Sequence, residues 1–99
     1  MEKTQKKYIV RTDRAGVFYG EVVSRKGNTE ITMANVRKIW YWDGACAVEE
    51  LALSGTFKPD ECKLTVTVPE MVLASPIQVI PCSKKAQAVL DGIKEWKRG

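Results

Sequence analysis

Histidine is absent from all 99 residues, and with it goes the usual general base of Ser-His and Cys-His chemistry. The three cysteines, Cys46, Cys62 and Cys82, are widely spaced and form no Cys-x-x-Cys pair. A disulfide framework and a zinc site both lack their pattern, so free thiols acting as small core residues are expected. No apolar run approaches the ~20 residues of a membrane-spanning helix. The start Met-Glu-Lys-Thr-Gln-Lys-Lys has no apolar signal region behind it, so a cytoplasmic protein without membrane contact is expected. The glycine-rich phosphate loop, the dinucleotide fingerprint and the Gly-x-Ser-x-Gly elbow are missing too. Neither a catalytic role nor a cofactor is therefore expected.

What is present is a chain with 44% hydrophobic residues and a net charge of +4. That charge is carried by the ends. Residues 1–7 hold three lysines against one glutamate, and residues 83–99 hold five basic groups against two acidic ones. The stretch between has eight basic and nine acidic groups, which is no stripe for tracking duplex phosphates. Composition and length suit a disordered basic tail over 1–7 and a single α+β domain over 8–99.

Along the chain, residues 8–12 read as a strand and 13–16 as a turn. Residues 17–34 read as a hairpin reversing at Lys26-Gly27-Asn28, with strands over 17–25 and 30–33. Gly20, inside the first of them, marks a bulge or a close backbone approach. A further strand is predicted over 36–42, with Val36, Lys38, Trp40 and Trp42 on one face and Arg37, Ile39 and Tyr41 on the other. A short helix over 45–53 turns Val48, Leu51 and Ala52 inward and closes at Gly55. Leu64, Val66 and Val68 alternate as a half-buried strand that Pro69 stops. Met71 to Ile80 is an edge strand, or one broken at Ser75-Pro76. Ser83 caps a last helix whose stripe Ala86, Val89, Leu90, Ile93 and Trp96 faces the core. The fold class is α+β: a mainly antiparallel twisted sheet of five or six strands with two helices packed on one face.

The stretch from Val36 to Ala47 organises the rest, because it carries two of the three tryptophans and the sharpest change of pattern. With Asp43 as helix cap, the N–H groups of Gly44, Ala45 and Cys46 would point out beside the aromatic end of the strand, where an anion and a flat ring could both be held. An ordinary strand-turn-helix joint has the same pattern. Arg11, Arg14 and Arg37 flank the aromatic segment; guanidinium groups clamp phosphates and stack on rings. Lys84 and Lys85 oppose the dipole of the last helix, a conflict a bound anion would remove. In the competing account Trp40 and Trp42 are core or subunit-interface anchors, and the arginines pair with Glu21, Glu30 or Asp43. Asp13, Glu21, Asp43 and Glu49 could approach one another as metal ligands, but scattered acids of this kind are common and no metal is expected.

Tyr8-Ile9-Val10-Arg11-Thr12, Ala15-Gly16-Val17-Phe18 with Gly20-Glu21 and Ser24-Arg25, then Asn35, Arg37 and Ile39-Trp40-Tyr41-Trp42-Asp43-Gly44-Ala45 resemble a family of short phage and prophage proteins of unassigned function. The likeness spans residues 8–55. It hands over no catalytic residues, and it implies a viral accessory protein that antagonises host defence by gripping a defence protein or soaking up its nucleotide signal. The leading expectation is a non-enzymatic, homo-oligomeric protein that sequesters a nucleotide-derived small molecule. Trp40 and Trp42 would stack on the base, Arg11, Arg14 and Arg37 would meet phosphates, and Asp43, Gly44, Lys84 and Lys85 would assist. The alternatives are an inhibitor bound to a host defence protein, or a weak single-stranded nucleic-acid binder whose affinity falls steeply with salt.

Overall fold

Adjacent residues in the strands bury to different sides, and this alternation builds two cores around one sheet. The computed structural model describes residues 6–45 and 47–96. Strands β1 (Lys7–Thr12), β2 (Val17–Lys26) and β3 (Glu30–Tyr41) form an antiparallel meander. After helix α1 (Val48–Ser54) and a 3-10 turn over Pro59–Glu61 come β4 (Lys63–Leu64), β5 (Val68–Ala74), β6 (Pro76–Pro81) and helix α2 (Lys84–Asp91). All pairings in this six-stranded sheet are antiparallel, which makes the fold α+β.

β5 pairs with β3 and β6 pairs with β1, yet only Ser75 separates the two strands. The outer edges of the meander are thus joined by one chain kinked at Ser75, whose φ is +54°. Ser75 N donates to Thr29 O at 3.0 Å, and its carbonyl accepts from Asp13 N at 3.1 Å, so the kink is tied to both hairpin turns. Both expectations for Met71 to Ile80 are met, since the strand is broken at Ser75 and each piece lies at an edge, paired with one strand only. Inside the curl lie Val10, Phe18, Ile31, Met33, Val36 and Leu73. The second cluster joins Ile9, Tyr19, Ile39 and Leu64 to Val48, Leu51 and Ala52 of α1 and Ala86 and Leu90 of α2.

The hairpin over 17–34 is present, with Thr29 N donating to Lys26 O at 3.0 Å across the turn. Gly20 is both a register shift and a close approach, since a Cβ there would meet the Val36 Cα at 2.8 Å. Four expectations need correction. The strands expected over 30–33 and 36–42 are one strand, kinked at Asn35, whose φ is +47°. The expected strand through Leu64, Val66 and Val68 breaks after Leu64. Thr65 bonds sideways to β3 there: its N donates to Lys38 O at 3.0 Å and its Oγ1 accepts from Lys38 N at 3.1 Å. Pro69 therefore lies inside β5, opposite the Asn35 kink, where the ladder skips a pair and needs no N–H. α1 starts at Val48, with Ala47 as its N-cap and no side-chain cap.

The last correction concerns α2. Ser83 caps it as expected, accepting from Ala86 N at 3.0 Å, and its hydroxyl also donates to Leu53 O at 2.6 Å, fastening the start of α2 to the end of α1. The helix nevertheless ends at Asp91, because Gly92 N turns back to Val89 O at 3.2 Å. Trp96 is thereby released from the helical stripe. Residues 1–5 of the expected basic tail lie outside the described residues, and Lys7 already belongs to β1.

Candidate functional site

Two of the residues expected to bind a ligand meet in one hollow. Arg11 reaches it from β1 and Trp42 from the segment after β3; Val17, Ala47, Val48 and Glu49 complete the wall. The volume is about 350 Å³. Trp42 is only partly buried, packed against the cluster beneath the helices, so part of its ring remains accessible. Glu49 accepts from Gln78 Nε2 at 3.0 Å, and this bond, ahead of a backbone hydrogen bond, holds its carboxyl below the usual range. Gln78 faces Arg11 across the β1–β6 ladder, and its Oε1 is buried with no hydrogen-bond partner in the structure. An indole wall, a guanidinium, an ionised carboxylate and an unmatched acceptor thus share one neighbourhood.

The remaining candidates are dispersed. Trp40 is 55% exposed and stacks on Trp96, with ring centroids 4.9 Å apart and planes 15° from parallel. Lys63 Nζ lies 5.2 Å from both indole centroids and 5.9 Å from that of Tyr41. Trp40 and Trp42 were expected side by side; instead one stacks on Trp96 and the other walls the hollow at Arg11. Trp96 had no sequence signal for this role, because the pattern assigned it to the helix, and no motif singled out Lys63.

Arg37 is 8% exposed and bound inside: Nε donates to Thr65 O at 3.0 Å and Nη1 to Leu90 O at 3.3 Å. Burial lowers its pKa from the ordinary arginine value. Arg14 points outward, its side chain 95% exposed and its Nε 3.9 Å from Asp13. Lys84 and Lys85 are exposed on α2 and line none of the five hollows described. The expected pairing of the arginines with Glu21, Glu30 or Asp43 does not occur among the described residues.

Asp43 does not cap α1. Its Oδ1 accepts from Gly44 N at 2.7 Å and its carbonyl accepts from the Thr56 hydroxyl. Phe57 N donates to Gly44 O at 3.3 Å, so residues 43–44 are clasped to 56–57 instead of opening an anion site. Gly44 has φ +83°, and a Cβ there would run into the Thr56 hydroxyl and meet Lys58 N at 2.7 Å. Cys46 lies outside the described residues, while Cys62 and Cys82 are free and buried. Asp13, Glu21, Asp43 and Glu49 do not gather: among the described residues, no three His, Cys, Asp or Glu side chains could hold one metal ion. No helix among the described residues is long and apolar enough to cross a membrane.

A family model described as a domain of unknown function, DUF6948, matches residues 5–90. No curated protein and no solved structure gives a significant match.

Proposed function

Since the chain belongs to the DUF6948 family, a domain of unknown function, we propose from its geometry a non-catalytic binder of a nucleotide-derived small molecule, held in the hollow between Arg11 and Trp42. The observation that carries this is the meeting of those two side chains, from separate stretches of sequence, at one solvent-reachable hollow. The base lies against Trp42, where stacking is worth about 1–3 kcal/mol. Arg11 meets a phosphate and Glu49, oriented by Gln78, accepts from a ribose hydroxyl. In this reading α1 and α2 cover one face of the sheet, and the start of α1 walls the hollow. The hollow is open, so a second copy of the chain helps to enclose the ligand. The phage resemblance supports a role in soaking up a signalling nucleotide of host defence, of the cyclic oligonucleotide or cyclic ADP-ribose type, in the host cytoplasm.

A second reading, an inhibitor docked on a defence protein, draws support from the unpaired edge of β5 and from the exposed Trp40, Tyr41 and Phe57. Thermal melting against a panel of cyclic oligonucleotides and cyclic ADP-ribose isomers separates the two. A ligand at 100 times its Kd adds about 2.7 kcal/mol of stability, which moves the midpoint of a domain this size by several degrees. No shift with any member of the panel would sink the nucleotide reading.

A further inference from the structure

A second hollow, of about 300 Å³, opens where β2 and β3 pass the end of α2. Its wall includes Lys7, Tyr19, Glu21, Asn35, Arg37 and Asp91, with Thr67 at the rim. Its shape follows from two irregularities already described. Tyr19 stands opposite Arg37, but past Gly20 the register slips so that Glu21 faces Ala34, and the kink at Asn35 turns that side chain to Glu21. Asn35 Nδ2 donates to Glu21 Oε2 at 3.2 Å.

The charges in this hollow divide into a closed pair and an open one. Lys7 Nζ lies 2.9 Å from Asp91 Oδ1, and the Tyr19 hydroxyl donates to the same oxygen at 2.8 Å. Those charges cancel. Arg37 and Glu21 have no such partners. Among the described residues no carboxylate lies within 4 Å of the Arg37 guanidinium, and its Nη2 makes no hydrogen bond; likewise no cation lies within 4 Å of Glu21. The Arg37 side chain, more than nine-tenths buried, is hydrogen-bonded only to two carbonyls, and these together with the attraction of Glu95 and Asp91 from beyond 4 Å offset only part of the lost hydration. A free guanidinium N–H pair and an unpaired carboxylate on one wall fit a ligand that carries both charges.

We propose that this hollow binds a free α-amino acid, its carboxylate on Arg37 Nη2 and its ammonium on Glu21, with the Thr67 hydroxyl and Asn35 Oδ1 as further partners. The volume stands at the small end of the roughly 300–1,000 Å³ typical of ligand pockets, which suits a molecule of that size. A simple anion would leave Glu21 unmatched, and a simple amine would leave Arg37 so.

Calorimetric titration of the full chain with each of the common α-amino acids tests this, with acetate, methylamine and inorganic phosphate as the half-ligand probes. At least one amino acid should bind saturably while none of the three probes does. Glu21→Gln, at a half-exposed position, should weaken that binding about tenfold or more, the worth of one charged hydrogen bond. Arg11→Ala should leave it unchanged, which keeps the outcome separate from that of the nucleotide site. No heat with any amino acid, phosphate or acetate binding as tightly as the best amino acid, or wild-type affinity in Glu21→Gln would each overturn the proposal.

Discussion

Trp40 and Trp96 lie 56 residues apart in the chain with their indole rings stacked at 4.9 Å. The contact is the docking point of the segment after α2, where Trp96 N also donates to Leu64 O at 2.8 Å. Offset-stacked aromatic pairs contribute about 0.5–1.5 kcal/mol beyond the area they bury. A double-mutant cycle of Trp40→Ala, Trp96→Ala and the pair, read by urea unfolding, should return a coupling energy in that range. Additive single effects would mean that the rings share space without stabilising one another.

That stack also marks where the sequence stops being legible. Period-two alternation located the meander, in which neighbours such as Ile9 and Val10 join different clusters. Gly20 and Ser75-Pro76 announced their irregularities, because a missing side chain and a missing N–H act locally. Ser83 announced the start of α2 for the same reason. The end of α2 was hidden, since Ile93 and Trp96 continue the helical spacing beyond Gly92 and only the folded chain shows that they leave it. Candidate ligand groups were the least legible. Arg11 and Trp42 converge, whereas Arg37 is drawn inward by the carbonyls of Thr65 and Leu90, which belong to segments 28 and 53 residues away. No local pattern encodes such partners.

Gly20 and Gly27 separate two reasons for glycine. At Gly20 an added Cβ meets backbone, Val36 Cα at 2.8 Å and Ala34 O at 3.0 Å, and neither can yield without moving β3. At Gly27 nothing lies within 4 Å, and only the φ of +53° resists a side chain. Gly20→Ala should therefore lose about 1–3 kcal/mol through overpacking. Gly27→Ala should lose roughly 1 kcal/mol through its left-handed backbone. Urea midpoints at unchanged slope check both; equal losses would mean that the close approach at Gly20 relaxes freely.

Alkaline pH should destabilise the fold through two buried groups. Burial, then the charge of Asp91, pushes the Cys82 thiol up to about 12. Burial, followed by the hydrogen bond to Asp91, raises the Tyr19 hydroxyl above its ordinary value as well. An unfolded thiol ionises near ~8.5 and an unfolded phenol near ~10. Above those values the unfolded chain releases protons that the native chain keeps, so stability is full below about pH 8.5 and falls as pH rises toward the native values. Melting midpoints between pH 7 and 11 should decline from about pH 9. Cys82→Ala should flatten the first part of the decline and Tyr19→Phe the part above about pH 10. A midpoint independent of pH in the wild type would show that neither group keeps its proton in the native state.

Arg11 and Arg14 sit three residues apart, and only one lines the hollow with Trp42. Charge reversal at the two positions changes net charge identically, so a comparison of Arg11→Glu with Arg14→Glu removes any contribution from long-range attraction. Both side chains are exposed, and an exposed substitution moves stability by no more than about 0.5 kcal/mol. With the nucleotide ligand found by melting, Arg11→Glu should abolish the rise in midpoint, because it replaces a phosphate partner by a carboxylate beside Glu49. Arg14→Glu and the paired Lys84→Glu, Lys85→Glu variant should keep it. Equal losses in all three would mean that the ligand responds to the overall field of a basic protein. Loss confined to Arg14 would move the site to the turn between β1 and β2, away from Trp42.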